Sequence, residues 1–230
     1  MANQKDNASA HSSAQYDELI IRTIPYYNQF HEETIHVVKS YIPWPKIWLD
    51  TGCGTGSLVD KCLSAFPETE FILSDPSKAM LEVAKEKLSG SADRVRFLKP
   101  AATQDLASNI SIKPDVITAI QSHHYLSAPD RKKSTEVCFD LLAADGIYIP
   151  FENIAPMTKA GIETGKKNWG EFQLSKGKSK EEIRKHLARF GTEYFPITIE
   201  EHLSLYRSCG FRVVEMLWYS CMQAGFYCIK

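Results

Sequence analysis

Short apolar runs alternate with amphipathic stretches through the middle of this chain. Ile47-Trp48-Leu49, Phe71-Ile72-Leu73, Val95-Arg96-Phe97-Leu98, Val116 to Ile120 and Ile147 to Phe151 are the apolar runs. Between the first three, apolar residues recur at helical spacing: Leu58, Val59, Cys62 and Leu63, then Met80, Leu81, Ala84 and Leu88. A further helix is predicted from Pro129 to Leu142, ending at Asp145-Gly146. Near-continuous apolar strands separated by helices predict a parallel sheet covered on both faces.

The two ends depart from that rhythm. Residues 1–14, rich in Ala, Ser, Asn and Gln, are expected to be disordered. Residues 15–44 read as cap helices: one begins at Tyr16, is broken before Pro25, and a longer one runs to about Ser40. After Phe151 the alternation stops, and residues 155–197 form a polar, lysine-rich helical insertion expected to act as a lid. Thr198-Ile199-Glu200-Glu201 is a capping box that opens another helix, which Gly210 ends. Phe211 to Trp218 and Gln223 to Ile229 then read as an antiparallel pair. The fold class is α/β: a Rossmann-like, doubly wound, seven-stranded sheet with a C-terminal antiparallel hairpin and a helical lid insertion.

Composition narrows the function only by exclusion. The 230 residues suit one domain spanning 15–230, and a net charge of −1 gives no reason to expect nucleic acid as partner. No apolar run is long enough to cross a bilayer, the N-terminus does not read as a secretory signal, and a cytoplasmic location is expected. The six cysteines (Cys53, Cys62, Cys138, Cys209, Cys221 and Cys228) lack metal or disulfide-framework spacing. No metal site is expected.

The chemistry is concentrated in Asp50-Thr51-Gly52-Cys53-Gly54-Thr55-Gly56, followed by Ser74-Asp75-Pro76. A strand running into alternate glycines lets backbone N–H groups approach a ligand, and an acid closing the next strand can accept both hydroxyls of a ribose. The spacing is neither the G-x-G-x-x-G of a dinucleotide loop nor a Walker A loop, because Ser57 follows and no Gly-Lys-Ser/Thr is present.

This D-x-G-C-G-T-G resembles motif I of the class I S-adenosylmethionine-dependent methyltransferases. The resemblance implies S-adenosyl-L-methionine as cofactor, with Gly52, Cys53 and Gly54 around its methionine part and Asp75-Pro76 at its ribose. It further implies that Asp50 orders the loop or meets the amino group. Ala101 and Ala102 stand where the family often has an adenine-binding acid, so backbone, Thr103 or Gln104 would serve there. Asp115 to Leu126 looks like motif IV and brings Gln121 to the cofactor. Arg22-Thr23-Ile24-Pro25-Tyr26-Tyr27 is similar to the N-terminal segment of the carboxy-S-adenosylmethionine synthase group, in which Tyr27 would touch the cofactor and a homodimer is implied. That group holds an extra carboxylate with a lid arginine. Counting back from Gly210-Phe211 puts the matching position near Phe195, with Arg189 the nearest arginine upstream, so ordinary S-adenosylmethionine is the expected cofactor.

Methyl transfer needs a positioned nucleophile, exclusion of water and sometimes a base. His123 and His124 follow the fourth strand and Glu152 closes the fifth; these three are the candidate bases. Trp169, Phe172, Tyr194 and Tyr206 are candidate pocket aromatics or core. Basic residues of the insertion (Lys159, Lys166, Lys167, Lys176, Lys178, Lys180, Arg184, Lys185 and Arg189) outnumber its acids and are read as a solvated face in preference to an RNA or anion surface. The expected activity is methylation of a small-molecule acceptor. The alternatives are a carboxy-S-adenosylmethionine synthase-type enzyme of tRNA modification and a non-catalytic S-adenosylmethionine-binding protein.

Overall fold

A computed structural model describes residues 6–230. Seven strands form one sheet: β1 (Ile47–Thr51), β2 (Glu70–Ser74), β3 (Val95–Phe97), β4 (Val116–Ile120), β5 (Ile147–Asn153), β6 (Val213–Ser220) and β7 (Gln223–Ile229). Their order is β3-β2-β1-β4-β5-β7-β6, parallel through β5 and antiparallel from β5 to β7 to β6. The expected hairpin is therefore the closing edge of the sheet.

Alternation along the strands supplies both faces with core. Trp48, Phe71 and Leu73 join one apolar layer, together with Ile149 and Phe151. Leu49, Ile72, Ile117, Ala119 and Tyr148 join the other. Helices α1 (Tyr16–Ile20), α2 (Tyr27–Tyr41) and α3 (Ser57–Ala65) precede or follow β1. Helices α4 (Lys78–Lys87) and α5 (Ala128–Leu141) follow β2 and β4. Ser77 caps α4 and Ser127 caps α5, each accepting a backbone N–H, as short polar side chains at helix starts do.

The insertion after β5 folds as α6 (Lys159–Ser175) and α7 (Lys180–Ala188), and α8 (Ile199–Ser208) begins at the capping box of Thr198 and Glu201. Insertion and N-terminal helices form one cap. Trp169 Nε1 donates to the Thr23 carbonyl at 2.6 Å, and Arg22 donates to the carbonyls of Lys176 and Gly177 beyond the end of α6.

The tail expected to be disordered is a correction in part. Residues 1–5 lie outside the described residues, but residues 6–12 run as a strap across the cap. Asp6 accepts from the Ser13 amide and hydroxyl, Ser77 Oγ donates to the Asp6 carbonyl, and Arg189 donates to the Ala8 carbonyl. Polar composition does not preclude order here, because these polar groups find partners on α4 and the insertion.

Candidate functional site

The glycine loop follows β1 at the C-terminal ends of β1, β2 and β4, where the strand order reverses from one side of β1 to the other. Loops diverge at such a switch point and leave room for a ligand. Gly52 and Gly54 both have positive φ, at 69° and 54°. A Cβ on Gly52 would lie 2.5 Å from Ser122 Cβ, whereas one on Gly54 would meet nothing within 4 Å. The first glycine lets the loop after β4 pack; the second leaves the loop's open side free for a ligand.

Asp75 is fastened to this loop. Its Oδ2 accepts the Gly54 amide at 2.9 Å and its Oδ1 accepts the Ser77 amide at 2.8 Å. Burial nonetheless raises its pKa, those two backbone hydrogen bonds opposing the rise. Pro76 beside it is exposed. The Cys53 thiol is buried against the Gly54 carbonyl, and burial holds its pKa well above the ordinary range, so it contributes volume rather than a thiolate. Asp50 is buried beneath the loop and accepts from Thr118 Oγ1 at 2.7 Å. Burial pushes its carboxyl up to about 7.

The cap closes the crevice from above. Tyr27 and Tyr16 are buried and hydrogen-bonded to each other, and the charge of Asp50 is felt at Tyr27. Asp17 was not anticipated from sequence: it accepts from Thr55 and Ser57 of the glycine loop and pairs with Lys87, tying α1 to the start of α3. Beyond Asp75, the Ala101 amide donates to the Asp75 carbonyl and Ala102 precedes a turn whose Thr103 Oγ1 bonds His123 Nε2 at 3.0 Å.

The loop after β4 carries the remaining polar wall. Gln121 has φ 55°, an uncommon conformation for a side-chain-bearing residue, and its buried Nε2 has no partner among the described residues. It lines a small closed cavity of about 20 Å³ with Tyr125, Asn153, Tyr194, Arg189 and the strap. The buried Tyr194 hydroxyl is also without a partner. Buried donors without acceptors are costly, and a polar ligand would relieve them. The Gly52–Gly54 loop and the anchored Asp75 fit the nucleoside end of S-adenosylmethionine, and Gln121 and Tyr194 offer polar groups to a ligand from a cavity that neither the loop nor Asp75 lines.

The three candidate bases are brought together, but facing inward. Glu152 Oε1 accepts the His123 amide; Oε2 accepts the His124 amide and His124 Nδ1, both at 2.8 Å. His124 Nε2 lies 3.1 Å from Asn153 Nδ2, and His123 Nδ1 lies 3.1 Å from the Tyr148 hydroxyl. Burial works to raise the Glu152 pKa, but the hydrogen bond and charge of His124 outweigh it and hold the carboxyl below its ordinary value. Burial pushes His123 down to about 4. Every ring nitrogen and carboxylate oxygen of the three is engaged.

No arginine stands at Phe195, the position that the sequence count reaches. Phe195 is partly exposed and hydrogen-bonds through its backbone to His124 and Arg131. Arg189 is instead buried in the cavity wall, its guanidinium carbon 5.9 Å from the Tyr194 ring centroid and its side chain hydrogen-bonded to Tyr125. Of the candidate aromatics, only Tyr194 lines the cavity; Trp169 holds the cap together and Tyr206 belongs to the opposite core layer. Among the described residues, no helix is long and apolar enough to cross a membrane and no group of three His, Cys, Asp or Glu is placed to hold a metal.

Comparison with known proteins follows the same outline. A methyltransferase-domain family pattern matches residues 49–148. Carboxy-S-adenosyl-L-methionine synthase of Campylobacter lari is 24% identical over 213 residues, covering 91% of this chain and 88% of that protein. Among solved structures, a plantazolicin methyltransferase in complex with a triazolic desmethylPZN analog and SAH aligns at TM-score 0.67 and 15% identity, over 95% of this chain and 89% of that one. An O-methyltransferase family protein from Burkholderia thailandensis aligns at TM-score 0.66 and 13% identity, over 94% of this chain but 58% of that one, so this chain spans little more than half its length. The domain match runs through the glycine loop, the acid bonded to it and the loop after β4, and over these residues the chain is similar to methyltransferase domains.

Proposed function

We propose that the chain transfers a methyl group from S-adenosylmethionine to a small-molecule acceptor held between the loop after β4 and the cap. The observation that carries this reading is the closed cavity whose wall presents the unpartnered Gln121 Nε2 and Tyr194 hydroxyl. A site roofed by Tyr16, the strap and Tyr194 suits a compact acceptor better than a polymer.

Bound cofactor would supply a methyl group already activated by its sulfonium. The protein's part is placement and dryness: the Gly52–Gly54 loop, Asp75, Asp50 and Tyr27 hold one partner, and Gln121, Tyr125 and Asn153 orient the other. His123, His124 and Glu152 then act as positioning residues. Their mutual hydrogen bonds set the turn that presents Gln121 and Tyr125, and none has an atom left over for a substrate proton.

A second reading is favoured by Arg189. A buried guanidinium beside Tyr125 and Tyr194 suits a carboxylate on the cofactor, the feature of a carboxy-S-adenosylmethionine synthase. Mass spectrometry of small molecules released from freshly purified protein separates the two. S-adenosylmethionine or S-adenosylhomocysteine, lost in Asp75→Ala, supports methyl transfer; a carboxylated derivative, lost in Arg189→Met, supports the synthase. Neither ligand, together with no heat on calorimetric titration, overturns both.

A further inference from the structure

A second, larger groove adjoins the cavity, about 670 Å³ in volume, between the strap and α7. The two share Ser9, Ala10, His11, His186 and Arg189, which stand between the groove and the cavity that holds Gln121. Arg22, Lys178, Arg184, Lys185 and Arg189 line the groove, against Asp6, Glu182 and Glu193.

The cations are not equivalent. Arg189 pairs with Glu193, and Arg184 and Lys185 share Glu181. Arg22 and Lys178 have no carboxylate within ion-pair distance among the described residues. Arg22 spends two donors on backbone carbonyls, while Lys178 is only 7% exposed and its Nζ donates to Thr23 Oγ1 at 2.9 Å. The charge of Glu182 acts on Lys178 from beyond ion-pair distance, and an anion in direct contact would further lower the cost of burying an ammonium that has one neutral hydrogen-bond partner. The sequence pattern placed Lys178 on a solvated face; the fold buries it. His11 beside them is pushed down to about 4 by burial first, then by the charges of Lys178 and Arg189, with Glu182 opposing.

We infer that this groove binds the phosphoryl group of a phosphorylated acceptor, with Lys178 and Arg22 as its principal contacts, and that the rest of the acceptor reaches toward Gln121 and Tyr125. Two cations without ion-pair partners match a dianion, which one phosphate monoester supplies and one carboxylate does not. Arg22 and Lys178 belong to the cap helices and their connections, not to the strap. The identity of this ligand as an acceptor rests on the methyltransferase reading above; the anion site itself does not.

The test is a titration of the full-length, 15N-labelled protein with phenyl phosphate, inorganic phosphate and benzoate, following backbone amide shifts. Saturable shifts at Ala10, His11 and Lys178 are expected with both phosphates, weakened by about tenfold or more in Lys178→Met and retained in Lys178→Arg. Arg22→Gln gives a second reading of the same loss should Lys178→Met unfold. No saturable shift in the wild-type protein, or equal affinity in Lys178→Met and Arg22→Gln, overturns the proposal. Tighter binding of benzoate than of phenyl phosphate also overturns it, in favour of a carboxylate acceptor. S-adenosylhomocysteine binding is measured separately by calorimetry. Its absence removes the methyltransferase reading, while the amide shifts still decide for or against the anion site.

Discussion

The Gly54 amide donates to Asp75 Oδ2 at 2.9 Å, so the glycine loop after β1 and the acid after β2 are joined before any ligand arrives. The bond also places the carboxylate on the open side of the loop. A ribose held there would find an acceptor already oriented and share it with the Gly54 amide. Asp75→Ala is expected to weaken S-adenosylhomocysteine binding by about 2 kcal/mol, roughly thirtyfold, through loss of charge-assisted hydrogen bonds. Calorimetric titration checks this. An unchanged affinity would remove Asp75 from the cofactor site.

The two loop glycines should fail differently. Gly52→Ala combines a positive φ with a Cβ 2.5 Å from Ser122 Cβ, and a loss of about 2 kcal/mol or more of stability is expected. Gly54→Ala carries only the backbone strain, about 1 kcal/mol, since its Cβ meets nothing. Thermal melts should therefore show Gly52→Ala much the less stable, with Ser122→Gly partly rescuing it. Gly54→Ala should stay folded yet bind S-adenosylhomocysteine poorly, because its methyl occupies the ligand's side of the loop.

Glu152 separates anchoring from base catalysis. As an anchor, Glu152→Gln loses an acceptor for the His123 and His124 groups and should lower stability by about 1 to 3 kcal/mol, with activity falling in step with the folded fraction. A folded state of unchanged melting temperature with activity abolished would instead identify a base. The sign with pH follows from its lowered pKa. The stabilisation is full above the ordinary carboxyl value of 4.5 and is lost as pH falls through the lower folded value.

Asp50 has the opposite sign. Its carboxyl is raised from 3.8 to about 7, so the folded chain holds a proton that the unfolded chain releases, and this group erodes stability as pH rises from about 4 to 7. Asp50→Asn removes that erosion. Melts at pH 8 should show the variant more stable than the wild-type chain, with the gap closing toward pH 4. A gap independent of pH would mean that Asp50 does not titrate in this range.

Legibility in the sequence tracked the distance over which each feature is encoded. Five strands, their intervening helices and the closing hairpin were readable because apolar periodicity is local; their observed limits differ from the reading by a residue or two at most ends, where capping and fraying decide. The glycine loop and Asp75 were readable because turn geometry ties glycine to fixed spacings.

The sequence by itself determined the layered α/β architecture and the glycine loop with the acid that the structure fastens to it. Only the tertiary structure decided which polar groups face the crevice. Arg189 reaches the Ala8 carbonyl across 181 residues and Trp169 reaches Thr23 across 146. Glu152 turns inward because three N–H groups of the neighbouring strand's loop converge on it. Burial of Lys178, likewise, depends on how the insertion settles against the N-terminal helices. Spacing along a chain records periodicity and turns, whereas burial, and with it the cost or use of a charge, is set by what packs against it.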